Sequence, residues 1–343
     1  MPLSDRMLVG VGSETVYGTS PFAASLPSTY LAVESCDITP DILVLESQDI
    51  TNSYSGRKHE TVPVGCDVSM TFKLTPRAGA NPSRPHWSPL LVAAGLAETL
   101  VDDTVDYYEY APSTANNMTA TPSASIVKYQ VDDTDLTKSR KMLARGVRGN
   151  LDFTFELEDF ARATFTGRGL YFSWPSTETT VPAAGSNPEA YSGEQSGMTT
   201  KDITITVAGQ SVCLTSLAIS TNWAVNEDKC LSSGAGGTTD EVTLSRGPGE
   251  RLGGSMTLKG RATALNTLLP YIEAGTEFAV AVTLSNADGD IYINMPAVQF
   301  GNYTMSADGG RISFDIPYFA NGKWGTGEAG DNELVIAFGN GTT

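Results

Sequence analysis

Histidine is nearly missing from this chain: His59 and His86 are the only two in 343 residues. Acid–base catalysis therefore has little to draw on. No GxSxG, P-loop or HExxH stretch occurs, and no segment nominates a carboxylate pair for glycoside cleavage, although Asp and Glu are plentiful. The four cysteines, Cys36, Cys66, Cys213 and Cys230, lack CxxC spacing. With two histidines they cannot assemble a zinc template, so reduced, structural thiols are expected. Tryptophan is scarce, and Trp87, Trp174, Trp223 and Trp324 lie too far apart in sequence to mark a glycan-binding platform. Asp288-Gly-Asp290 lacks the later carboxylates of a calcium loop and reads as a hairpin turn. No enzyme, cofactor or metal site is expected.

Long apolar runs are also missing. The stretch from Pro89 to Ala97 is too short to span a bilayer. Met1-Pro-Leu-Ser-Asp-Arg does not read as a secretory signal, so a soluble protein made in a cytoplasm, without a membrane partner, is expected. Cations are few: 22 Lys and Arg stand against 39 Asp and Glu, a net charge of −17. Such a chain repels polyanions, which disfavours sequence-reading nucleic-acid binding.

What the chain does have is a repeat. Tyr30-Leu-Ala-Val-Glu-Ser recurs as Ser216-Leu-Ala-Ile-Ser-Thr, and Ser69-Met-Thr-Phe-Lys73 as Ser255-Met-Thr-Leu-Lys259, both 186 residues apart. This pair predicts a tandem duplication of one β-rich domain. The expected layout is an N-terminal arm (1–29), a first domain (30–172), a Ser/Thr/Pro/Gly-rich linker (173–200) and a second domain (201–343). Each domain reads as a strand, a long polar excursion (Thr39 to Val62; Val225 to Arg251), a strand, one helix and about four strands. The helices are proline-led Trp87-Ser-Pro-Leu-Leu and Ala262–Ala274, with Gly275 as a stop. Gly149–Leu157 alternates strictly, with Leu151, Phe153, Phe155 and Leu157 on one face and Asp152, Thr154 and Glu156 on the other. Gly301-Asn302 echoes Gly149-Asn150. The fold class is mainly β: two tandem β-sandwich or barrel domains, each with one flanking helix.

The segments Glu14-Thr-Val-Tyr-Gly-Thr, Asp37-Ile-Thr-Pro, Trp87-Ser-Pro-Leu-Leu-Val-Ala-Ala-Gly-Leu, Ala144-Arg-Gly-Val-Arg-Gly-Asn and Asp308-Gly-Gly-Arg-Ile-Ser-Phe-Asp-Ile-Pro-Tyr-Phe occur in this order. In that order the chain resembles the tail tube proteins of long-tailed bacteriophages (siphophage major tail proteins) over most of residues 10–338. The resemblance implies sheets that join between subunits into a β-barrel around a lumen. With a duplicated domain it implies trimeric, pseudo-six-fold rings that stack into a tail tube in the virion, assembled in the bacterial host cytoplasm. Implied partners are further copies of the chain, a tape measure protein and phage DNA held without sequence preference in the lumen, and tail terminator and distal tail proteins. A virion decoration protein or a tandem β-sandwich adhesin is the alternative.

Lumen-lining candidates are Asp67, Ser69, Asp152, Thr154, Glu156 and Glu158, polar positions that would equally suit an outer, solvent-facing surface. Arg145, Arg148, Arg162 and Arg168 are expected to form ion pairs between subunits. The family's excursions contact the adjacent ring, which makes Asn52, Tyr54, Arg57, Lys58, Asp228, Lys229, Asp240 and Arg246 ring-stacking candidates; surface hairpin loops are the other reading.

Overall fold

The structure, a computed structural model, describes residues 7–22, 30–47, 58–76, 84–102, 106–112, 122–131, 139–178, 197–212, 214–228, 241–245, 251–259, 262–286, 289–308, 311–322, 324–325, 328–329 and 332–339. The alternating residues form long antiparallel strands, and two helices flank them. The first half of the chain contributes β1 (Met7–Ser13), β2 (Val33–Ser47), β3 (Lys58–Lys73), α1 (Ser88–Ala93), β4 (Leu96–Val101), β5 (Tyr107–Pro112), β6 (Ala124–Val131), β7 (Ser139–Glu156), β8 (Arg162–Gly169) and β9 (Tyr171–Glu178). The second contributes β10 (Ile203–Val207), the two-residue β11 (Gln210–Ser211), β12 (Leu214–Ser220), β13 (Ala224–Asp228), β14 (Glu241–Ser245), β15 (Gly253–Lys259), α2 (Ala262–Ala274), β16 (Phe278–Asn286), β17 (Gly289–Phe300), β18 (Thr304–Asp308), β19 (Arg311–Ala320), the short β20 (Trp324–Gly325) and β21 (Glu328–Ala329), and β22 (Val335–Gly339).

The pairing order recurs. In the first half β2 pairs β3, β3 pairs β8, and β8 pairs the C-terminal part of β7. In the second, β12 pairs β15, β15 pairs β19, and β19 pairs β18 and the end of β17. The N-terminal part of β7 leaves this run and pairs β6 and β9, with β1 beyond β6. β17 likewise pairs β16 and β22, with β10 beyond β16. Met70 and Met256 hold the same place: Met70 lies opposite Phe165, Met256 opposite Ile316.

The other sequence match slips. Cys36 lies opposite Met70 and Leu217 opposite Met256, so Cys36, not Leu31, takes the place of Leu217. Strand register follows cross-strand partners and core burial, and a shared Leu-Ala pair does not set it.

The two runs join. β7 pairs β12 antiparallel, with Asp152 opposite Ser220 and Glu156 opposite Ser216. Eight strands thus follow one another as β2-β3-β8-β7-β12-β15-β19-β18. A second crossing ties the halves: the first-half hairpin β4–β5 lies between α1 and β6, and β5 pairs the C-terminal β22. Trp87, fully buried at the start of α1, stacks edge-on against Phe153 and Phe338 and donates its indole N–H to the Thr75 carbonyl at 3.0 Å. Burying an indole among aromatic rings contributes several kcal/mol to one shared core.

Several expectations shift. Within the arm, Met7–Ser13 is a strand paired with β6. Ser173–Glu178, placed in the linker, completes β9. The described residues of the excursion Thr39 to Val62 are the far parts of β2 and β3, paired out to Ser47 and Lys58. This stretch is also less polar than expected, since Ile42, Leu43, Val44 and Leu45 are all exposed there. β16 pairs β17 on either side of the predicted turn, with Asn286 opposite Gly289; Asp288 itself lies outside the described residues. α2 ends at Gly275, whose φ of 61° is left-handed and suits glycine. Cys36 and Cys66 are unbonded and buried, and burial pushes both thiols up to about 12, so they stay protonated and unreactive at neutral pH.

Candidate functional site

Directly opposed residues of an antiparallel pair share a face, so one face can be followed strand by strand across the eight-strand run. Asp37 lies opposite Ser69, Ser69 opposite Thr166, and Asp67 opposite Arg168. Thr154 lies opposite Arg162 on one side and Ala218 on the other. Ala218 lies opposite Ser255, Thr257 opposite Asp315, and Asp315 opposite Thr304. The face is built mainly of Ser, Thr and Asp, with Ala218, Glu156 and a few cations among them. The reverse face carries Met70, Phe72, Phe153, Phe155, Leu217, Met256 and Ile316, all buried in the core.

Five of the six lumen candidates, Asp67, Ser69, Asp152, Thr154 and Glu156, therefore lie on this one polar face. Glu158 does not. β7 ends at Glu156, and Glu158 sits in the following turn with a left-handed φ of 65°. Leu157, expected to face inward, is 52% exposed at the same strand end.

The face carries cations, each held by carboxylates among the described side chains. Arg168 reaches Asp41, Asp67 (3.0 Å) and Glu227. Partial burial opposes its charge, but hydrogen bonds to these three carboxylates outweigh that and raise its pKa. Arg162 bonds Asp159 and Glu34, and these bonds raise its pKa too. Lys73 lies 4.0 Å from Glu34 and 3.7 Å from the Phe160 ring centroid. A cation already shared among carboxylates has little attraction left for a phosphate.

Arg162 and Arg168, expected to pair between subunits, already form ion pairs within one chain. Arg168 ties the first-half hairpin (Asp41) to the second (Glu227). Arg148 is buried, donates to the Val242 carbonyl and lies 3.6 Å from Glu241. Burial lowers its pKa, and Glu241 opposes that shift.

Two constellations escaped the sequence reading. At the β7–β12 join, Asn150 clasps one backbone unit: its Oδ1 accepts from Trp223 N–H at 2.6 Å and its Nδ2 donates to the Trp223 carbonyl at 2.9 Å. Trp223 in turn donates its indole N–H to the Ala94 carbonyl. The second is Glu14, which is buried and accepts from Ser123 and Ser125 hydroxyls and from Gly18 and Gly146 amides. Tyr17 donates to the Gly146 carbonyl and accepts from Val242 N–H, bridging the arm to the second half. Gly146 has a left-handed φ of 65°, and a Cβ there would lie 2.7 Å from the Tyr17 ring. The available signals were the Glu14-Thr-Val-Tyr-Gly segment and the Gly-Asn echo, neither of which names a partner.

Of the stacking candidates, Asn52, Tyr54, Arg57, Lys229, Asp240 and Arg246 lie outside the described residues. Lys58 opens β3 opposite Ser47, and Asp228 ends β13, exposed, opposite Glu241. Beside Lys58 the hairpin exposes Ile42, Leu43, Val44, Leu45 and Val62, between 37% and 57% each. Contiguous exposed aliphatic side chains are uncommon on the free surface of a monomer. Among the described residues, no group of three or more His, Cys, Asp or Glu is placed to hold a metal, and no helix is long and apolar enough to cross a membrane.

A family model described as phage tail tube protein matches residues 4–318. No curated protein matches the chain.

Proposed function

The chain belongs to the phage tail tube protein family and is a structural protein of the virion tail; from that premise we propose that it assembles as trimeric rings that stack into a tube through which DNA passes. The observation that carries this reading is the run of eight strands with a polar face and, among the described residues, a strand at each end paired on one side only. An open sheet with two free edges is a template for pairing, and head-to-tail pairing closes a ring when the rotation per copy allows it.

Strand number requires more than one copy for an open bore, and three copies satisfy it. Eight strands alone close on an interior filled by side chains. Three copies, with strands about 4.8 Å apart and tilted about 40°, close on a barrel roughly 50 Å across between backbones. The recurring pairing order supports a reading of two tube units per chain, so that three chains present six. The Ser/Thr/Asp face lines the bore, where DNA and the tape measure protein meet carboxylates and cations that are already paired. The exposed β2–β3 hairpin contacts the next ring through Ile42–Leu45, and tail terminator and distal tail proteins cap the stack.

Electron microscopy of the purified chain tests this reading. Rings or hollow tubes are expected. Dispersed particles that never associate at any concentration would instead favour a decoration protein or an adhesin.

A further inference from the structure

We propose that neighbouring copies in a ring join by pairing the free edge of β18 with the free edge of β2, in the register that β7 and β12 already use inside the chain. The proposal rests on the tube reading above and specifies its contact. Thr304 would lie opposite Thr39, Ser306 opposite Asp37, and Asp308 opposite Ser35.

The internal join supplies the template. β18 stands against β19 as β7 stands against β8: Thr154 is opposite Arg162, which is opposite Lys73, and Ser306 is opposite Ser313, which is opposite Lys259. β2 stands against β3 as β12 stands against β15, with Cys36 in the place of Leu217. Copying Thr154 opposite Ala218 onto the outer edges gives Ser306 opposite Asp37. Among the described residues β18 pairs only β19, and β2 pairs only β3; they are the two ends of the run.

The side chains at the free edge support this register. Met305 lies opposite buried Phe314 and so faces the core side, yet it is 61% exposed. Its counterpart Phe153 is fully buried, with Ile219 opposite it on β12. Met305 is bare where the next strand is missing, and the proposed register sets Ile38 of a second copy opposite it. Asn302 is exposed and precedes Thr304 as Asn150 precedes Asp152. On docking it takes up the clasp that Asn150 makes on Trp223, here on neighbouring backbone near Ile42. Lys128 now holds the Cys36 carbonyl at the β2 edge, and a carbonyl oxygen has a second lone pair for the incoming strand.

The hydrogen-bond phase selects the probe. Leu157 N–H donates to the Thr215 carbonyl at 3.0 Å and Thr221 N–H to the Leu151 carbonyl at 3.2 Å. The Thr154–Ala218 pair therefore falls between hydrogen-bonded pairs, where Cα atoms approach to about 4.5 Å, within disulfide range. The full-length chain carrying Ser306→Cys and Asp37→Cys should, after assembly and mild oxidation, run on non-reducing gels as covalent dimers and closed trimers. Either single variant should give at least fivefold less, as should Thr304→Cys with Asp37→Cys, which is two residues out of register. Rings that form but cross-link best out of register, or not at all, overturn this contact and leave the tube reading standing. A native chain that never forms rings overturns both. As a second readout, Asn302→Ala should raise the concentration needed for assembly about tenfold, the worth of a hydrogen-bonded clasp, and leave the monomer's Tm unchanged; unchanged assembly would count against the contact.

Discussion

Replacing Glu14 by alanine is expected to remove about 3–5 kcal/mol of folding stability, the range for stripping one partner from a buried charged network. The Glu14 carboxylate is 2% exposed, and its two oxygens accept from two hydroxyls and two backbone amides. Alanine leaves all four donors facing a cavity. Glu14→Gln keeps the shape but turns an NH₂ group toward donors, so an intermediate loss of about 2 kcal/mol is expected. The damage should spread, because the Gly146 turn that Glu14 holds also seats Tyr17, and Tyr17 takes the Val242 amide at 2.7 Å. Urea unfolding of the three proteins measures this directly. A Glu14→Ala midpoint equal to that of the native chain would mean the network forms without stabilising the fold.

Putting lysines on the polar face should convert a passive conduit into one that grips DNA. Ser69→Lys with Glu156→Lys adds two cations per chain, hence six in a ring of three, on strands whose existing cations are held by carboxylates. Each phosphate contact releases counterions, so about six contacts give binding that weakens about 10³-fold between 50 and 200 mM salt. Even about 1 kcal/mol of grip per ring would sum over tens of rings to a retention far above thermal energy. Tubes of the native chain are expected to retain no labelled duplex at either salt. Variant tubes should retain it at 50 mM, protected from nuclease. Bound DNA that nuclease digests freely would place this face on the outside of the tube.

The two-residue period of β7 was legible because Leu151, Phe153 and Phe155 alternate with Asp152, Thr154 and Glu156, and a half-buried strand must segregate them. The same rule failed at Glu158, since periodicity does not announce where a strand stops; the turn there reverses the chain through a left-handed residue. The Ser69 and Ser255 matches fell on equivalent strands because Met70 and Met256 fill equivalent core positions. The Tyr30 match slipped by five, because the register of β2 answers to β3, which sets Cys36 opposite Met70. The join between β7 and β12 left no local trace: edge pairing is made by backbone groups that every residue carries. An ion-pair role for Arg168 was legible but its partners were not, since folding brings Asp41, Asp67 and Glu227 to it from three different strands.

Native mass spectrometry of the smallest closed ring is the most direct measurement of whether one chain supplies two units to a shared barrel. A mass of three chains is the expected result. Six chains in a ring would mean that only one half of each chain lies on the barrel, and particles that remain single chains would mean that the edges of β2 and β18 do not join at all.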